Sequence, residues 1–225
     1  MKKLRVLDLF SGTQSISKQF RKKGHDTLTI DYNPIFSEEG NEYGIITDLT
    51  MNILDINKEI IIEHLGGEPD VIWASPDCTT YSVAAIYHHR IKEEDGNLSP
   101  KSEKAAIADK VTQKTLEIIS WFPNAIYFIE NPRGGMRKMN FIQDYPRYTV
   151  TYCTYGDDRM KPTDLWTNHP NPNFKPMCKP GASCHISAPR GSTTGTQGLK
   201  NAIERSKIPV NLCEHVVKIS EEICN

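Results

Sequence analysis

Four short apolar runs, each halted by a turn or a polar residue, constrain this chain more than any other feature. Residues 5–10 run into Ser11-Gly12, residues 26–30 stop at Asp31, residues 71–74 stop at Ser75-Pro76, and residues 125–129 stop at Glu130-Asn131-Pro132. Apolar runs this short, bounded by breakers, read as buried strands. The segments between them have helical spacing. Ile16 and Phe20 stand four apart in 14–23, with Lys and Arg in the last turn before Gly24. Residues 53–65 carry Ile and Leu at helical intervals up to Gly66-Gly67, and 104–121 form a longer helix. Strand and helix in alternation predict an α/β fold, a mostly parallel sheet with right-handed crossovers and helices on both faces. A further strand pair is expected at 148–155 and 164–167, and a closing helix at 209–223.

Two stretches break this rhythm. Residues 86–103 are polar, with a His-His-Arg cluster and an acidic triplet, and read as a long functional loop. Residues 168–198 are rich in Pro, Gly, Ser, Thr and Cys with little periodicity, an irregular insert. The expected organisation is a catalytic domain over 1–167, a small insert over 168–204, and a C-terminal helix over 205–225 packing back on the domain.

Charge is unevenly spread although the net value is −1. Residues 1–132 hold 14 Lys and Arg against 20 Asp and Glu, whereas residues 133–205 hold 11 against 5. A basic block of this kind suits an anionic partner such as a phosphate backbone, and equally a solvated loop. Arg190, in the turn 188–192, is the candidate phosphate contact. No apolar run reaches the roughly 18 residues of a membrane span. The six residues that follow the basic N-terminus are too few for a signal peptide, so the expected compartment is the cytoplasm. Six unevenly spaced cysteines then favour free thiols, a catalytic thiol or a metal site over disulfides.

In open α/β sheets, ligands bind beyond the carboxyl ends of the strands. The ends found here carry a glycine turn, an aspartate, a cysteine and a glutamate, all able to face one crevice. Singly, each has a dull explanation: a turn, a helix cap, a buried thiol, a strand terminator.

Together these residues resemble the cytosine-C5 DNA methyltransferase family. The resemblance rests on Asp8-Leu9-Phe10-Ser11-Gly12, on Pro76-Asp77-Cys78 with Ser82, and on Glu130-Asn131-Pro132. Tyr155-Gly156 through Trp166, with Arg159 and Lys161, follows in the same order, and residues 205–219 look like the closing segment. It implies a Rossmann-like, S-adenosylmethionine-dependent methyltransferase fold acting on DNA, with RNA or a free nucleotide as the alternative substrate. A non-catalytic nucleic-acid-binding relative is the rival from another class. By resemblance, Cys78 attacks C6 of a flipped-out cytosine, which activates C5 for methylation. Glu130 holds the Watson–Crick edge, and Arg159 or Lys161 supplies a cation beside the base. Phe10 and Gly12 line the methionine portion of the cofactor, Asp31 meets its ribose hydroxyls and Asp48 its adenine amine, with Ser11, Thr13, Tyr32, Leu49 and Pro76 also at the cofactor. The chain departs from the family at Asp77, where proline usually precedes the nucleophile, and its insert is smaller than the usual recognition domain.

Within the insert, His169, Cys178, Cys184 and His185 offer two thiols and two imidazoles for a structural zinc. Adjacent Cys184 and His185 do not easily face one ion, and Cys153 is a substitute for one histidine if the fold brings it near. The alternative is free loop thiols, with histidines that bind phosphate or nothing.

Overall fold

A computed structural model describes residues 2–187, 199 and 201–224 of the chain. Arg190 lies outside the described residues. The elements run β1 (Arg5–Leu9), α1 (Ser15–Lys22), β2 (Asp26–Asp31), β3 (Leu49–Thr50), α2 (Lys58–Leu65) and β4 (Val71–Ala74). After these come α3 (Ile86–His89), β5 (Arg90–Lys92), β6 (Leu98–Pro100), α4 (Glu103–Ser120), β7 (Ile126–Pro132) and β8 (Arg147–Thr151). The last are β9 (Pro162–Thr167), α5 (Ala202–Ser206) and α6 (Val210–Cys224).

Seven strands form one sheet in the order β3-β2-β1-β4-β7-β9-β8. The five from β3 to β7 pair in parallel, and β9 and β8 add antiparallel ribbons at one edge. Chain order reverses direction between β1 and β4, so a crevice opens at their carboxyl ends. The alternation of side chains along each strand divides the core into two layers. Val6, Trp73 and Phe128 pack with Ile16, Phe20 and Val216, beneath α1 and α6. Leu7, Ile72 and Ile129 pack with Ile61, Ile118 and Ile119, beneath α2 and α4. The expected α/β architecture with helices on both faces is therefore observed.

The same parity places Asp8 on the α1 side, where the Ser17 hydroxyl of α1 donates to its carboxylate. Helix α4 begins where Ser102 caps it, its hydroxyl accepting the Ala105 N–H, with Glu103 in the first turn. Among the described residues no helix is long and apolar enough to cross a membrane.

Three boundaries differ from the sequence expectation. Strand β8 stops at Thr151, and residues 152–155 wind into a 3-10 turn closed by Gly156 at φ 85°. Residues 53–55 form a 3-10 turn, and α2 starts only at Lys58, where the Asn57 side chain accepts the Ile60 N–H. The polar stretch 86–103 is not structureless. It folds as α3 and an antiparallel β5-β6 ribbon.

A buried ion pair anchors that ribbon. Arg90, 5% exposed, binds both oxygens of Asp109 on α4 and also the Thr80 and Leu98 carbonyls. Its guanidinium lies over the Tyr81 ring, whose hydroxyl donates to Asp109. Charge buried this deeply persists only when fully paired, and so the segment after Cys78 is fixed to α4. Gly134 backs it from the other side, because a Cβ there would stand 2.5 Å from the Tyr81 carbonyl oxygen.

Candidate active site

The turn after β1 is held in an uncommon backbone geometry. Phe10 sits at φ 58° and Gly12 at φ 45°, and the former costs a side-chain-bearing residue on the order of 1 kcal/mol. Two hydrogen bonds clip the turn to the end of β2. The Ser11 N–H reaches the Ile30 carbonyl at 3.1 Å, and the Gly12 N–H reaches Asp31 Oδ2 at 2.9 Å. Asp31 Oδ1 accepts the Asn33 N–H. Ser11 Oγ is buried and has no partner among the described residues, although it lines a cavity. A buried hydroxyl without a partner is costly, and here it marks a place where a polar ligand atom fits.

That cavity encloses about 420 Å³. Phe10, Ser11, Gly12, Thr13 and Asp31 form one wall, and Pro76, Cys78, Glu130 and Lys161 the other. A second cavity of about 590 Å³ adjoins it, with Phe10, Asp31, Tyr32 and Asp77 lining both. It extends over Met51, Ile53 and Leu54 to Ile107 and Val111 of α4. Asp48 and Leu49 line neither. Asp48 instead accepts the Thr29 N–H, the Thr29 hydroxyl and Arg21. The reason is register: Asp48 precedes β3, whereas the residues just beyond its carboxyl end, 51–54, reach the cavity. The sequence reading missed that segment because β3 is only two residues long.

Cys78 follows β4 on a loop that two contacts shape. Asn131 Nδ2 donates to the Pro76 carbonyl at 2.9 Å, tying the loop to the end of β7. Asp77 Oδ1 accepts both the N–H and the hydroxyl of Thr79, at 2.9 and 2.6 Å. The aspartate in the usual proline position thus presets the turn through its side chain. Burial pushes the Cys78 thiol up to about 11, with Glu130 and Asp77 adding to the shift and Lys161 opposing it.

Glu130 lies on the inward face of β7. The Tyr152 hydroxyl donates to its Oε1 at 2.9 Å, and Lys161 Nζ lies 3.7 Å from the same oxygen. Burial, followed by the Glu130 charge, holds Tyr152 well above the usual phenol range, so it stays a donor. Lys161 also lies over the Tyr152 ring, 4.5 Å from its centroid. Tyr152 was not found from the sequence; its place in the turn after β8 carries no motif.

Arg159 does not line the cavity. Its guanidinium is paired with Asp157 and bonded to the carbonyls of Glu204, Arg205 and Lys207. Of the two cations left open by the sequence, Lys161 is the one on the cavity wall, and Arg159 fastens the α5 segment, whose Ile203, Arg205 and Ser206 line the same cavity.

The proposed metal set changes by one member. Cys178, Cys184 and His185 come together with Cys153, their donor atoms all within 4.8 Å of one another. His169 is elsewhere: it follows β9 into the core beneath α6, where Nε2 bonds the Ile219 carbonyl and Nδ1 accepts the Asn171 N–H. Adjacent Cys184 and His185 do face one point, with 3.7 Å between Sγ and Nδ1. All six cysteines are free.

No family model matches the chain. The chain is 30% identical over 173 residues to the probable DNA (cytosine-5)-methyltransferase of Frog virus 3 (isolate Goorha), covering 73% of this chain and 71% of that relative. Among solved structures it resembles Schizosaccharomyces pombe Dnmt2 methyltransferase, with a TM-score of 0.48, 15% identity and coverage of 73% of this chain and 50% of that one. Entamoeba histolytica methyltransferase EhMeth gives a TM-score of 0.49 and 16% identity, covering 74% of this chain and 53% of that one. The chain therefore spans about half the length of these solved structures. The sequence relationship, 30% identity over nearly three quarters of both chains, shows that the chain belongs to the cytosine-5 DNA methyltransferase family.

Proposed function

We propose that this chain methylates C5 of cytosine in DNA, with S-adenosylmethionine as methyl donor and Cys78 as covalent nucleophile. The observation that carries the reading is the shared cavity. Cys78, Glu130 and Lys161 form one wall, and the opposite wall holds the strained Phe10–Gly12 turn, the unpartnered Ser11 hydroxyl and Asp31. Nucleophile and donor site face each other across a space of a size that holds small-molecule groups.

The residues fit the donor. Asp31, at the end of β2, is placed for the ribose hydroxyls, and Ser11 Oγ is available to the amino-acid portion. The apolar cavity over Met51, Ile53 and Leu54 suits the adenine. Bound there, S-adenosylmethionine supplies an electrophilic methyl group.

The target base enters flipped out of the duplex, since its C5 and C6 are unreachable within the stack. Cys78 gives its proton to solvent water and Sγ adds to C6, which makes C5 nucleophilic. Once C5 carries the methyl group, water takes the C5 proton as the Sγ–C6 bond breaks, which restores the ring and returns the thiolate. Among the described residues both polar contacts of the Glu130 carboxylate fall on Oε1, which leaves Oε2 for the base edge. Lys161 offsets negative charge at Cys78 and Glu130 as the thiolate forms. Residues 1–167 act as the catalytic domain and 205–225 pack back on it. Residues 168–204 form a small recognition insert within the basic block, and the DNA phosphates are its partner. The setting is the cytoplasm, where all six thiols remain reduced.

Incubation with labelled S-adenosylmethionine and separate DNA, RNA and nucleotide pools, followed by base analysis, tests the proposal. Label in 5-methylcytosine of DNA is expected, together with a trapped adduct on 5-fluorocytosine DNA that Cys78→Ala abolishes. Label confined to RNA or nucleotide overturns the substrate class. No label in any pool makes the chain a binding relative without catalysis.

A further inference from the structure

We propose that Cys153, Cys178, Cys184 and His185 bind one zinc ion that fastens the insert to the edge of the catalytic domain. The inference is independent of the methylation chemistry, because none of the four residues lines either cavity.

Distances support a single four-coordinate ion. Zinc–sulfur bonds of about 2.3 Å and zinc–nitrogen bonds of about 2.05 Å in a tetrahedron set sulfur–sulfur edges near roughly 3.8 Å and sulfur–nitrogen edges near roughly 3.6 Å. The separations found are 3.3 Å for Cys153 Sγ to Cys178 Sγ and 3.6 Å for Cys178 Sγ to His185 Nδ1, with 3.7 Å for Cys184 Sγ to His185 Nδ1. Three thiols and an imidazole are soft donors that select zinc over calcium or magnesium. Four protein ligands leave no open position, so the site is structural.

Local structure brings the ligands together. Cys153 sits in the 3-10 turn that ends β8. The Cys178 N–H donates to Thr151 Oγ1 at 2.9 Å, which holds the second thiol against that turn. The chain then reverses at Lys179-Pro180-Gly181-Ala182. Gly181 takes φ 81° and the Ala182 N–H reaches the Lys179 carbonyl at 3.1 Å, so Cys184 and His185 return to the same point. Beyond them the Ile186 N–H bonds the Asp158 carbonyl.

Before Cys178 the segment is held by the Lys175 N–H on the Tyr155 hydroxyl at 2.8 Å and by His215 Nε2 on the Pro172 carbonyl at 2.8 Å, but past it little apolar surface is buried. Phe174 packs against Tyr148 and His215, but Met177 and Ile186 are exposed. A metal cross-link suits a short stretch with so few buried apolar groups. One end of that cross-link, Cys153, follows Tyr152, the residue whose hydroxyl donates to Glu130.

The test uses the full chain, expressed without added metal and purified without a chelating resin. Elemental analysis should find about one zinc per chain, lost in Cys184→Ser and kept in Cys224→Ser. Replacement of zinc by cobalt(II) should give the visible absorption of a tetrahedral thiolate site. Cys153, Cys178 and Cys184 should resist alkylation in the native wild type until a chelator is added, a readout that stands if the variants misfold. Zinc below about a tenth per chain, zinc unchanged in Cys184→Ser, thiols equally reactive before and after chelation, or a Cys153–Cys178 disulfide by mass spectrometry would each overturn the proposal.

Discussion

Lys161 Nζ lies 3.7 Å from Glu130 Oε1, the same oxygen that accepts the Tyr152 hydroxyl. A cation and a neutral donor therefore converge on one side of a buried carboxylate, in a wall that also holds the Cys78 thiol. This arrangement separates the two basic residues that the sequence left equivalent.

Lys161→Met should lower kcat by about 100-fold with little change in cofactor affinity, since the lost charge acts on groups that ionise during the reaction. Tyr152→Phe should cost about 10-fold, because it removes one donor and leaves the ring. Arg159→Ala should act differently, raising KM through a loosened α5 segment. Single-turnover rates measured beside cofactor titrations check this, and a loss of kcat in Arg159→Ala equal to that in Lys161→Met would refute the division.

The Cys78 thiol, pushed up to about 11, is neutral in the free site at physiological pH. Its alkylation rate should keep rising through about pH 9, where an ordinary thiol has begun to level off. Glu130→Gln removes a like charge and should move the profile down. Lys161→Met removes the opposing cation and should move it up. Iodoacetamide labelling of Cys78 followed by peptide mass spectrometry reads all three. A wild-type midpoint at or below about 8.5 would contradict the burial argument.

The central strands of the sheet were legible because each is a short apolar run halted by a polar residue, as at Asp31 and Glu130. The same pattern drew attention to Cys78, in the loop after β4, and to Glu130 on β7, which line one cavity. Tyr152 was not, because its role depends on a 3-10 turn that continues no periodic pattern. Asp48 faces Thr29 and Arg21 instead of either cavity, because an acidic residue near a strand end can cap its neighbours as readily as face a ligand. The ribbon over 90–100 was hidden in polar composition, since what orders it is the distant Arg90–Asp109 pair. Likewise His169 and Cys153 differ only in where the chain travels after β9 and β8.

Asp31 and Asp48 should separate cleanly. Asp31→Ala should weaken S-adenosylhomocysteine binding by about 10-fold or more, as one or two charge-assisted hydrogen bonds to the ribose are lost. Asp48→Ala should leave binding nearly unchanged and cost about 1–3 kcal/mol of stability, by stranding the Thr29 N–H. Calorimetric titration and urea unfolding of both variants decide it. Equal losses of affinity would place Asp48 in the site after all.

Asp8 gives the last prediction, and it has an unusual sign. Burial raises its carboxyl from 3.8 to about 7, against the lowering effects of the Ser17 hydrogen bonds and Arg21. The folded protein thus holds a proton that the unfolded chain releases near pH 4. Stability contributed by this group is present below about pH 4 and is lost as pH rises towards about 7, the reverse of a salt-bridged carboxylate. Asp8→Asn keeps an acceptor for Ser17 and removes the titration. The variant should therefore gain on the wild type by about 2–4 kcal/mol between about pH 4 and about pH 8, in cofactor-free protein. Asp8 also lines the donor cavity. A cationic sulfonium there favours the ionised form, so S-adenosylmethionine should bind more tightly as pH rises through about 7, whereas neutral S-adenosylhomocysteine should show a weaker dependence. Urea midpoints and paired titrations across this range test both effects. A constant stability gap between wild type and Asp8→Asn would mean that Asp8 is ionised throughout.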